Sequence, residues 1–463
     1  MVRTREYRRV SAAVGSLCLV QFMDVLGVTV VVTALPSMLS DLHAPQSFGS
    51  LIATGYAMFF GGLLMLGARM GDRYGHRRTI LASLAVFAVG AVVAATASSV
   101  VSLTAGRCLQ GAAAAASVPS ALRLLTTVTP EGPARSRAIA AWSAAGAAAG
   151  ASGFVVGGIV TDLTSWRFIF WAYLPLTAVL GMIIAVTVPP DPGSEPAKPL
   201  NLAGSAAFTA AVMAFVVGST VITRPAGRIG GGVLLGGCAA LAWSFVIINR
   251  RAAAPLLPPA LLGVWRLRQG ALGGFLNTAT TSSVMILVTL YLQDTLRRSP
   301  LEAAVTLLPF SLAVIAGSSL SAALQRRLRP AWVIAGGLAA IALADLALIP
   351  SADSPWAVPL CAAGAGMGIG LSSVAATGLG TDVDLHWRGT ASGVINTAAQ
   401  LGTAAGIAVL LLIAAATTGV PAKGTGPPFA AWATGAAVAA AGALRFAVTA
   451  GHSSRPRPEA DGA

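Results

Sequence analysis

The chain has 463 residues, of which 56% are hydrophobic and only 10% are charged, against about 25% charged in an ordinary soluble domain. Its mean hydropathy is +0.78. Such composition excludes a soluble globular protein, because so few charges cannot cover a water-facing surface. The formal net charge of +14 does not indicate nucleic-acid binding, since the basic residues lie in short clusters between long apolar runs.

Fourteen apolar runs are long enough to cross a bilayer as α-helices, which takes roughly 20 residues. Because lipid cannot satisfy backbone N–H and C=O groups, these runs predict an all-α integral membrane protein. The first run is too long for a cleaved secretory signal, so we interpret it as a span. The predicted spans cover approximately residues 11–36, 48–68, 79–98, 101–127, 138–160, 168–188, 202–222, 231–249, 270–292, 302–322, 332–350, 356–380, 391–416 and 429–447.

The basic residues predict the orientation of the chain, since cytoplasmic loops carry an excess of Lys and Arg. With a cytoplasmic N-terminus and alternating spans, 22 of the 30 Lys and Arg residues fall on the cytoplasmic side and six on the other. Arg107 and Arg123 lie within spans. We therefore predict a multi-pass protein of the plasma membrane with both termini in the cytoplasm.

Two polar linkers, at 189–201 and 250–269, bracket the seventh and eighth apolar runs. This arrangement predicts six spans, two connecting spans and six further spans. The predicted units are an N-terminal bundle at 1–190, a cytoplasmic linker with two extra spans at 191–250, a C-terminal bundle at 251–450 and a disordered cytoplasmic tail at 451–463.

Asp24 and Arg107 place opposite charges inside the first and fourth predicted spans. A charge at the bilayer centre costs about 2.5–3.5 kcal/mol on insertion scales, so such residues usually face a cavity and a partner. We predict that Asp24 and Arg107 form a proton-coupling pair and that Gln110 faces the same cavity. The alternatives are an interfacial or packing role for Asp24 and an Arg107 that snorkels to the membrane surface.

A charged loop, GARMGDRYGHRR at 67–78, joins the second and third predicted spans. Asp72 can accept hydrogen bonds from arginines such as Arg73 and Arg77, or from a helix N-terminus. Gly75 permits a tight turn. We predict that these four residues form a conformational latch between the cytoplasmic ends of spans. The alternative is a loop that is basic for topological reasons alone.

The fifth predicted span carries Gly150, Gly153, Gly157 and Gly158 among alanines. Small residues three or four positions apart flatten one helix face, so we predict close helix packing there. In the second half of the chain, Asp345 is an acid inside an apolar span. We expect Asp345 either in the central cavity or at the membrane interface.

These motifs, in this order, resemble the major facilitator superfamily, and the resemblance runs from about residue 20 to about residue 410. The loop at 67–78 and the stretch from Arg107 to Gly111 carry it in the first half, with RGTASG at 388–393 in the second. The first span, FMDVLGVTVVVTALP, resembles that of the fourteen-span drug:proton antiporters. Several positions depart from the family patterns, and two of them bear on proton coupling.

The first departure is in span 1, where the usual acid of that family falls on Gly27, one turn after Asp24. Asp24 lies about 60° round the helix from that position, and we expect it to reach the same cavity. The second departure is Phe154, which replaces the proline associated with antiport.

The resemblance implies two six-helix bundles with two extra connecting transmembrane helices, and a proton-coupled exporter of drugs or antibiotics that works by alternating access. We expect a monomer whose partners are a small-molecule substrate, protons and lipid, with no cofactor, metal or nucleic acid. One alternative is a dedicated exporter of a single endogenous metabolite. Another is a membrane-embedded sensor or enzyme, although the sequence contains no HExxH, GxSxG or paired-histidine motif.

We expect a protease added outside intact cells to spare the loop at 69–78, because its four arginines place it in the cytoplasm. In everted vesicles the same loop should be cut at those arginines. An epitope at the N-terminus is the control, and it should be accessible from the same side of the membrane as the loop. Cleavage of the loop in intact cells would contradict the predicted orientation.

Overall fold

The computed structural model shows an all-helical protein, and no β-strand occurs in the part of the chain that it describes. That part comprises residues 2–45, 48–130, 133–190, 200–222, 227–253, 255–257, 259–351, 354, 356–383, 388–417 and 428–452.

Fifteen α-helices occur among the described residues, and all but the four-residue α9 have at least 20 residues. They are α1 (Val2–Asp41), α2 (Gly49–Tyr74), α3 (His76–Ala95), α4 (Val100–Val128), α5 (Pro133–Leu163), α6 (Arg167–Thr187), α7 (Leu202–Val221), α8 (Arg228–Arg251), α9 (Pro259–Leu262), α10 (Trp265–Leu290), α11 (Pro300–Leu324), α12 (Pro330–Ser351), α13 (Ala357–Gly380), α14 (Arg388–Thr417) and α15 (Phe429–His452). A π-helical segment, Tyr291–Thr295, continues α10.

The fourteen long helices coincide with the fourteen predicted spans, so the predicted fold class is confirmed. Thirteen of them are long and apolar enough to cross a membrane. The narrow boundary between the third and fourth spans is set by Ser99, whose hydroxyl accepts from the Ser102 N–H at 3.2 Å. The Ser102 hydroxyl accepts from the Ser99 N–H in return, also at 3.2 Å. This reciprocal capping box starts α4.

The remaining long helix, α4, is polar for a membrane span, and it packs between α2 and α3 with most of its residues buried. Glycines bring these backbones together. A Cβ at Gly111 would collide with the Tyr56 backbone, and a Cβ at Gly90 would lie 2.8 Å from the Gly106 carbonyl oxygen. Close approach of this kind is how small residues hold membrane helices together. Neighbouring helices therefore shield the polar side chains of α4 from lipid.

The long helices form two bundles and a peripheral pair. The N-terminal bundle consists of α1 to α6, and the C-terminal bundle consists of α10 to α15. The bundles meet along two lateral seams, one between α2 and α14 and one between α5 and α11. In the first seam, the Thr397 hydroxyl donates to the Gly61 carbonyl at 3.2 Å. In the second, a Cβ at Gly158 would lie 2.6 Å from the Ala304 methyl carbon, so the helices touch closely.

The peripheral pair is formed by α7 and α8, which pack on each other. α7 also lies along α2 and α14, where Val216 joins Met58, Ala404 and Ala408 in a small buried cluster. α8 contributes few buried side chains and presents most of its apolar surface outward. The two extra spans therefore cover the seam between α2 and α14 without entering either bundle.

Parts of all four predicted units lie outside the described residues. They include 191–199 and 223–226 of the linker with its two extra spans, and 453–463 of the tail. α15 continues to His452. The domain boundaries given above remain predictions.

The glycines of α5 allow a matched test of helix packing. A Cβ at Gly157 would meet the Val30 carbonyl and lie 2.5 Å from the Thr33 hydroxyl, whereas a Cβ at Gly150 would have its nearest contact with Val25 at 3.9 Å. We expect Gly157→Ala to lower the free energy of unfolding by about 1–3 kcal/mol through overpacking against α1. Thermal unfolding in detergent measures this, with Gly150→Ala as the tolerated control. Equal midpoints for the two variants would contradict the packing described here.

Candidate functional site

Asp24 and Arg107 meet in one buried cluster inside the N-terminal bundle. Asp24 is 4% exposed and Arg107 is 1% exposed. The carboxylate of Asp24 accepts a hydrogen bond from the Tyr56 hydroxyl, and the Arg107 guanidinium carbon lies 4.6 Å from the centre of the same Tyr56 ring. A cation over a tyrosine face is attracted by the ring quadrupole. Tyr56 therefore links the two charges, which form no direct ion pair in the described structure.

The cluster also contains polar atoms that have no partner. Arg107 donates to the Gln110 side-chain oxygen at 3.1 Å. However, the Nε and Nη2 of Arg107, the Nε2 of Gln110 and the Tyr173 hydroxyl lack a hydrogen-bond partner in the described structure. Leaving a buried donor unsatisfied typically costs about 1–3 kcal/mol. Hydrogen-bond donors that lack a partner and lie near a carboxylate favour a site that exchanges protons or water. They argue against a site that serves only for packing.

Gly27 faces the same cluster as Asp24. A Cβ at Gly27 would lie 3.6 Å from the Tyr173 hydroxyl and 3.8 Å from a Tyr56 ring carbon. Gly27 and Asp24, one turn apart on α1, therefore both lie beside Tyr56.

A cavity of about 260 Å³ lies between the two bundles. Its walls come from α1, α2 and α5 on one side and from α10, α11, α13 and α14 on the other. None of the described residues that line it is charged, and hydroxyl groups supply its side-chain polarity. The lining residues are Val25, Val28, Thr29, Val31, Val32, Ala53, Gly146, Gly150, Phe154, Met285, Ile286, Phe310, Ser311, Val314, Ile369, Thr403 and Ile407.

α1 separates the cavity from the charged cluster. Val25, Val28 and Val32 line the cavity at helical spacing, whereas Asp24 and Gly27 point into the N-terminal bundle. The cavity lining includes neither Asp24 nor Gln110, which sequence reasoning expected there, nor Asp345, which it expected either there or at the membrane interface. For Asp24 the reason is the rotation of α1, which turns its carboxylate toward Tyr56 of α2.

The glycines of α5 allow close contact with more than one neighbouring helix. Gly153 and Gly157 face Thr29, Val30 and Thr33 of α1, and Gly158 faces the start of α11. Gly150 lines the cavity, and its carbonyl accepts from the Ser311 hydroxyl at 3.3 Å. Phe154, at the position of the expected proline, packs edge-to-face on Phe310 of α11 with ring centres 5.9 Å apart. α5 thus joins the bundles at the cavity wall.

The predicted latch residues lie at the junction of α2 and α3. Gly75 has φ 89°, a region that glycine occupies without steric cost, and it forms the sharp turn. The Asp72 carboxylate pairs with His76, at 3.4 Å. The Arg77 side chain donates to the Ala185 carbonyl at the end of α6. Arg73 instead lies over the neighbouring Tyr74 ring, 5.5 Å from its centre.

Arg69 makes a further tie that the motif did not indicate. Its side chain donates to the Pro255 carbonyl, at 2.6 Å, in the segment that follows α8. The loop therefore connects α2 and α3 both to α6 and to the start of the C-terminal half. A rearrangement of the bundles would strain the Arg69 contact, whereas the Arg77 contact lies within the N-terminal bundle.

Sequence reasoning missed Tyr56 and did not assign Tyr173 to the site. Both are aromatic residues in apolar spans, where a packing role is the ordinary expectation. Their positions relative to Asp24 depend on how α1, α2 and α6 are rotated against each other, which hydropathy does not encode. Among the described residues, no group of three or more His, Cys, Asp or Glu side chains is placed to hold a metal.

A cavity between two helical bundles, with opposite charges buried behind its wall, defines a membrane transporter built from two halves. The chain belongs to the Major Facilitator Superfamily, whose sequence profile matches residues 17–407. The predicted family is thereby confirmed, and with it a transporter that moves small molecules across a membrane.

Several proteins with similar sequences are named for the export of an antibiotic or for resistance to one. The chain is 33% identical over 437 residues to the cephamycin export protein CmcT of Amycolatopsis lactamdurans, covering 91% of this chain and 88% of that protein. It is 32% identical over 416 residues to the puromycin resistance protein pur8 of Streptomyces alboniger, covering 86% of this chain and 80% of that protein. The crystal structure of the human organic anion transporter MFSD10 matches with a TM-score of 0.60 at 18% identity, covering 94% of this chain and 99% of that one. That last likeness shows the fold alone.

Tyr56→Phe keeps the ring beneath Arg107 and removes the hydroxyl that donates to Asp24. We expect the free energy of unfolding to fall by about 1–3 kcal/mol, since a buried carboxyl loses its partner. Thermal unfolding of the purified protein measures the change. Tyr74→Phe, at a half-exposed tyrosine of the same helix, is the control and should not move the midpoint. If the two variants unfold alike, the hydroxyl does not stabilise Asp24.

Proposed function

We propose that this protein is a proton-coupled exporter of small organic molecules that works by alternating access. The observation that carries the proposal is the pair of faces on α1. One face holds Asp24 against Tyr56 and Arg107, and the other lines the cavity between the bundles. A helix placed between a titratable group and a binding cavity can pass a change at one to the other.

Protonation of Asp24 is the step that would move α1. The carboxylate is attracted to Arg107 across Tyr56, and a bound proton cancels that attraction and weakens the hydrogen bond from the tyrosine. α1 then shifts relative to α2 and α4. Val25, Val28 and Val32 shift with it, so the cavity wall responds to the proton.

Alternating access requires the bundles to separate on one side and close on the other. At the C-terminal end of α1, Gln293 donates to the Thr33 carbonyl at 2.8 Å and joins the bundles. With a cytoplasmic N-terminus, this end faces the outside, so such contacts would have to break for release. The contact of Arg69 with Pro255 lies at the opposite end of α2 and would rearrange in the same cycle.

The driving force is sufficient for this cycle. Moving one charge across 100 mV is worth about 2.3 kcal/mol. The uncharged, mostly apolar cavity favours substrates that bind by burying apolar surface, with Thr29, Ser311 and Thr403 as hydrogen-bonding groups. Relatives named for cephamycin export and puromycin resistance support antibiotics as the substrate class.

A dedicated exporter of a single endogenous metabolite is the second candidate, because one similar protein is named for the export of one antibiotic. A sensitivity panel in an efflux-deficient host separates the two, using a cephamycin, puromycin, lincomycin and tetracenomycin C. Protection against one compound supports dedication. Protection against several unrelated compounds supports broad drug efflux.

We expect Asp24→Asn to abolish proton-driven uptake into everted vesicles of the antibiotic against which the transporter protects the host. Expression should stay intact. The reason is that asparagine cannot take up and release a proton. The control is Asp382→Asn, which removes an exposed ion pair with Arg266 outside both cluster and cavity. An uncoupler should stop transport by the wild-type protein and the control. Wild-type transport rates in Asp24→Asn would remove Asp24 from the mechanism.

A further inference from the structure

Asp345, in the second half of α12, is a fully buried acid of the C-terminal bundle. Its side chain is 0% exposed, and neither carboxyl oxygen has a hydrogen-bond partner in the described structure. One of these oxygens lies 3.2 Å from the position that a Cβ at Gly435 would occupy. The same position is 3.3 Å from a Val284 methyl and 3.5 Å from a Leu410 methyl, so the carboxyl faces apolar groups of α10, α14 and α15.

No basic side chain of the described structure offsets this acid. Cys361 of α13 is the titratable group that interacts electrostatically with it. On α15 the basic residue is Arg445, ten residues and about 15 Å along the helix from Gly435. On α10 the basic residues Arg266 and Arg268 lie in the first turn, far below Val284. An ionised carboxylate here would be a buried charge without a counter-charge, which a folded protein strongly disfavours.

A bound metal ion does not account for Asp345 either. Hard cations take about six oxygen ligands, and among the described residues no group of three or more His, Cys, Asp or Glu side chains could hold a metal here. A proton needs no further ligand, and it removes the charge.

A row of buried polar side chains leads along α10 toward Asp345. Gln269, Asn277 and Thr281 are spaced so that they share one face of the helix, and all three are buried. The side-chain oxygens of Asn277 and Thr281 have no hydrogen-bond partner in the described structure. Gln269, at the start of the helix, accepts from Arg445 at 3.3 Å. The row ends at Thr281, one turn before Val284, whose methyl lies with the carboxyl beside Gly435.

Asp345 lies one helix layer behind the cavity. Val284 is followed directly by Met285 and Ile286, which line the cavity, and Leu410 lies one turn after the lining residue Ile407. The carboxyl is thus placed behind α10 and α14 much as Asp24 is placed behind α1. The two acids belong to different bundles.

We propose that Asp345 is a second proton-binding site of this transporter, located in the C-terminal bundle and independent of Asp24. The carboxyl holds a proton in the packing described here and exchanges it along the polar face of α10. The part of Asp345 in transport rests on the function proposed above. The inference that Asp345 binds a proton does not depend on that function.

The test is infrared spectroscopy of the full-length protein in lipid nanodiscs at neutral pH, where a protonated carboxyl shows a C=O band separate from that of carboxylates. We expect Asp345→Asn to lack one component of that band and Asp24→Asn to retain it. Asp382→Asn, at an exposed ion pair, is the control and should match the wild type. A band that is unchanged in Asp345→Asn, or lost in Asp24→Asn, would overturn the proposal.

Thermal unfolding against pH gives an independent readout. If the folded state binds a proton that the unfolded state releases, stability falls as pH rises above neutral. Asp345→Asn should lose this dependence, because asparagine mimics the neutral acid. An asparagine variant that fails to fold would also contradict the proposal, since a neutral side chain is what the site is inferred to hold.

The transport consequence is separable. We expect Asp345→Asn to move one proton fewer per substrate molecule in reconstituted vesicles. Unaltered transport by Asp24→Asn would contradict the proposed coupling at Asp24. It would not affect the infrared evidence for a proton on Asp345.

Discussion

The rest of the structure depends on the cost of keeping charge inside a protein whose solvent is lipid. Asp24 and Arg107 are both almost fully buried, and each uses Tyr56, one through the hydroxyl and one through the ring face. This arrangement needs α1, α2 and α4 to lie very close together. Glycines supply that closeness, as at Gly111 against the Tyr56 backbone. The charged cluster and the small-residue packing are therefore one feature, because neither would persist without the other.

The same close packing determines what the cavity can be. α5 approaches α1 through Gly153 and Gly157 and reaches α11 through Gly158, so the wall of the cavity is built from backbones in near contact. Its side chains are then mostly valine, isoleucine and phenylalanine, and its charges lie one layer deeper. α1 therefore carries Asp24 and part of the cavity wall on neighbouring faces.

The number of spans, their order and the turn at Gly75 could be predicted, because length, hydropathy and glycine geometry depend on local sequence. The meeting of Asp24 with Arg107 could also be predicted, since lone charges in lipid need partners. The bridging by Tyr56 could not, because it depends on how neighbouring helices are rotated. The same rotation places Asp24 away from the cavity. It also places Asp345 deep in a bundle, where sequence reasoning left an interface as an alternative.

The peripheral helices make the transporter asymmetric toward the bilayer. α7 lies in the groove between α2 and α14, and α8 shields it in turn. The opposite groove, along α5 and α11, has no such cover among the described residues. On that flank the bundles touch directly, through Gly158 against Ala304 and Phe154 against Phe310. The extra pair of helices therefore gives the two flanks of the transporter different surfaces toward the lipid.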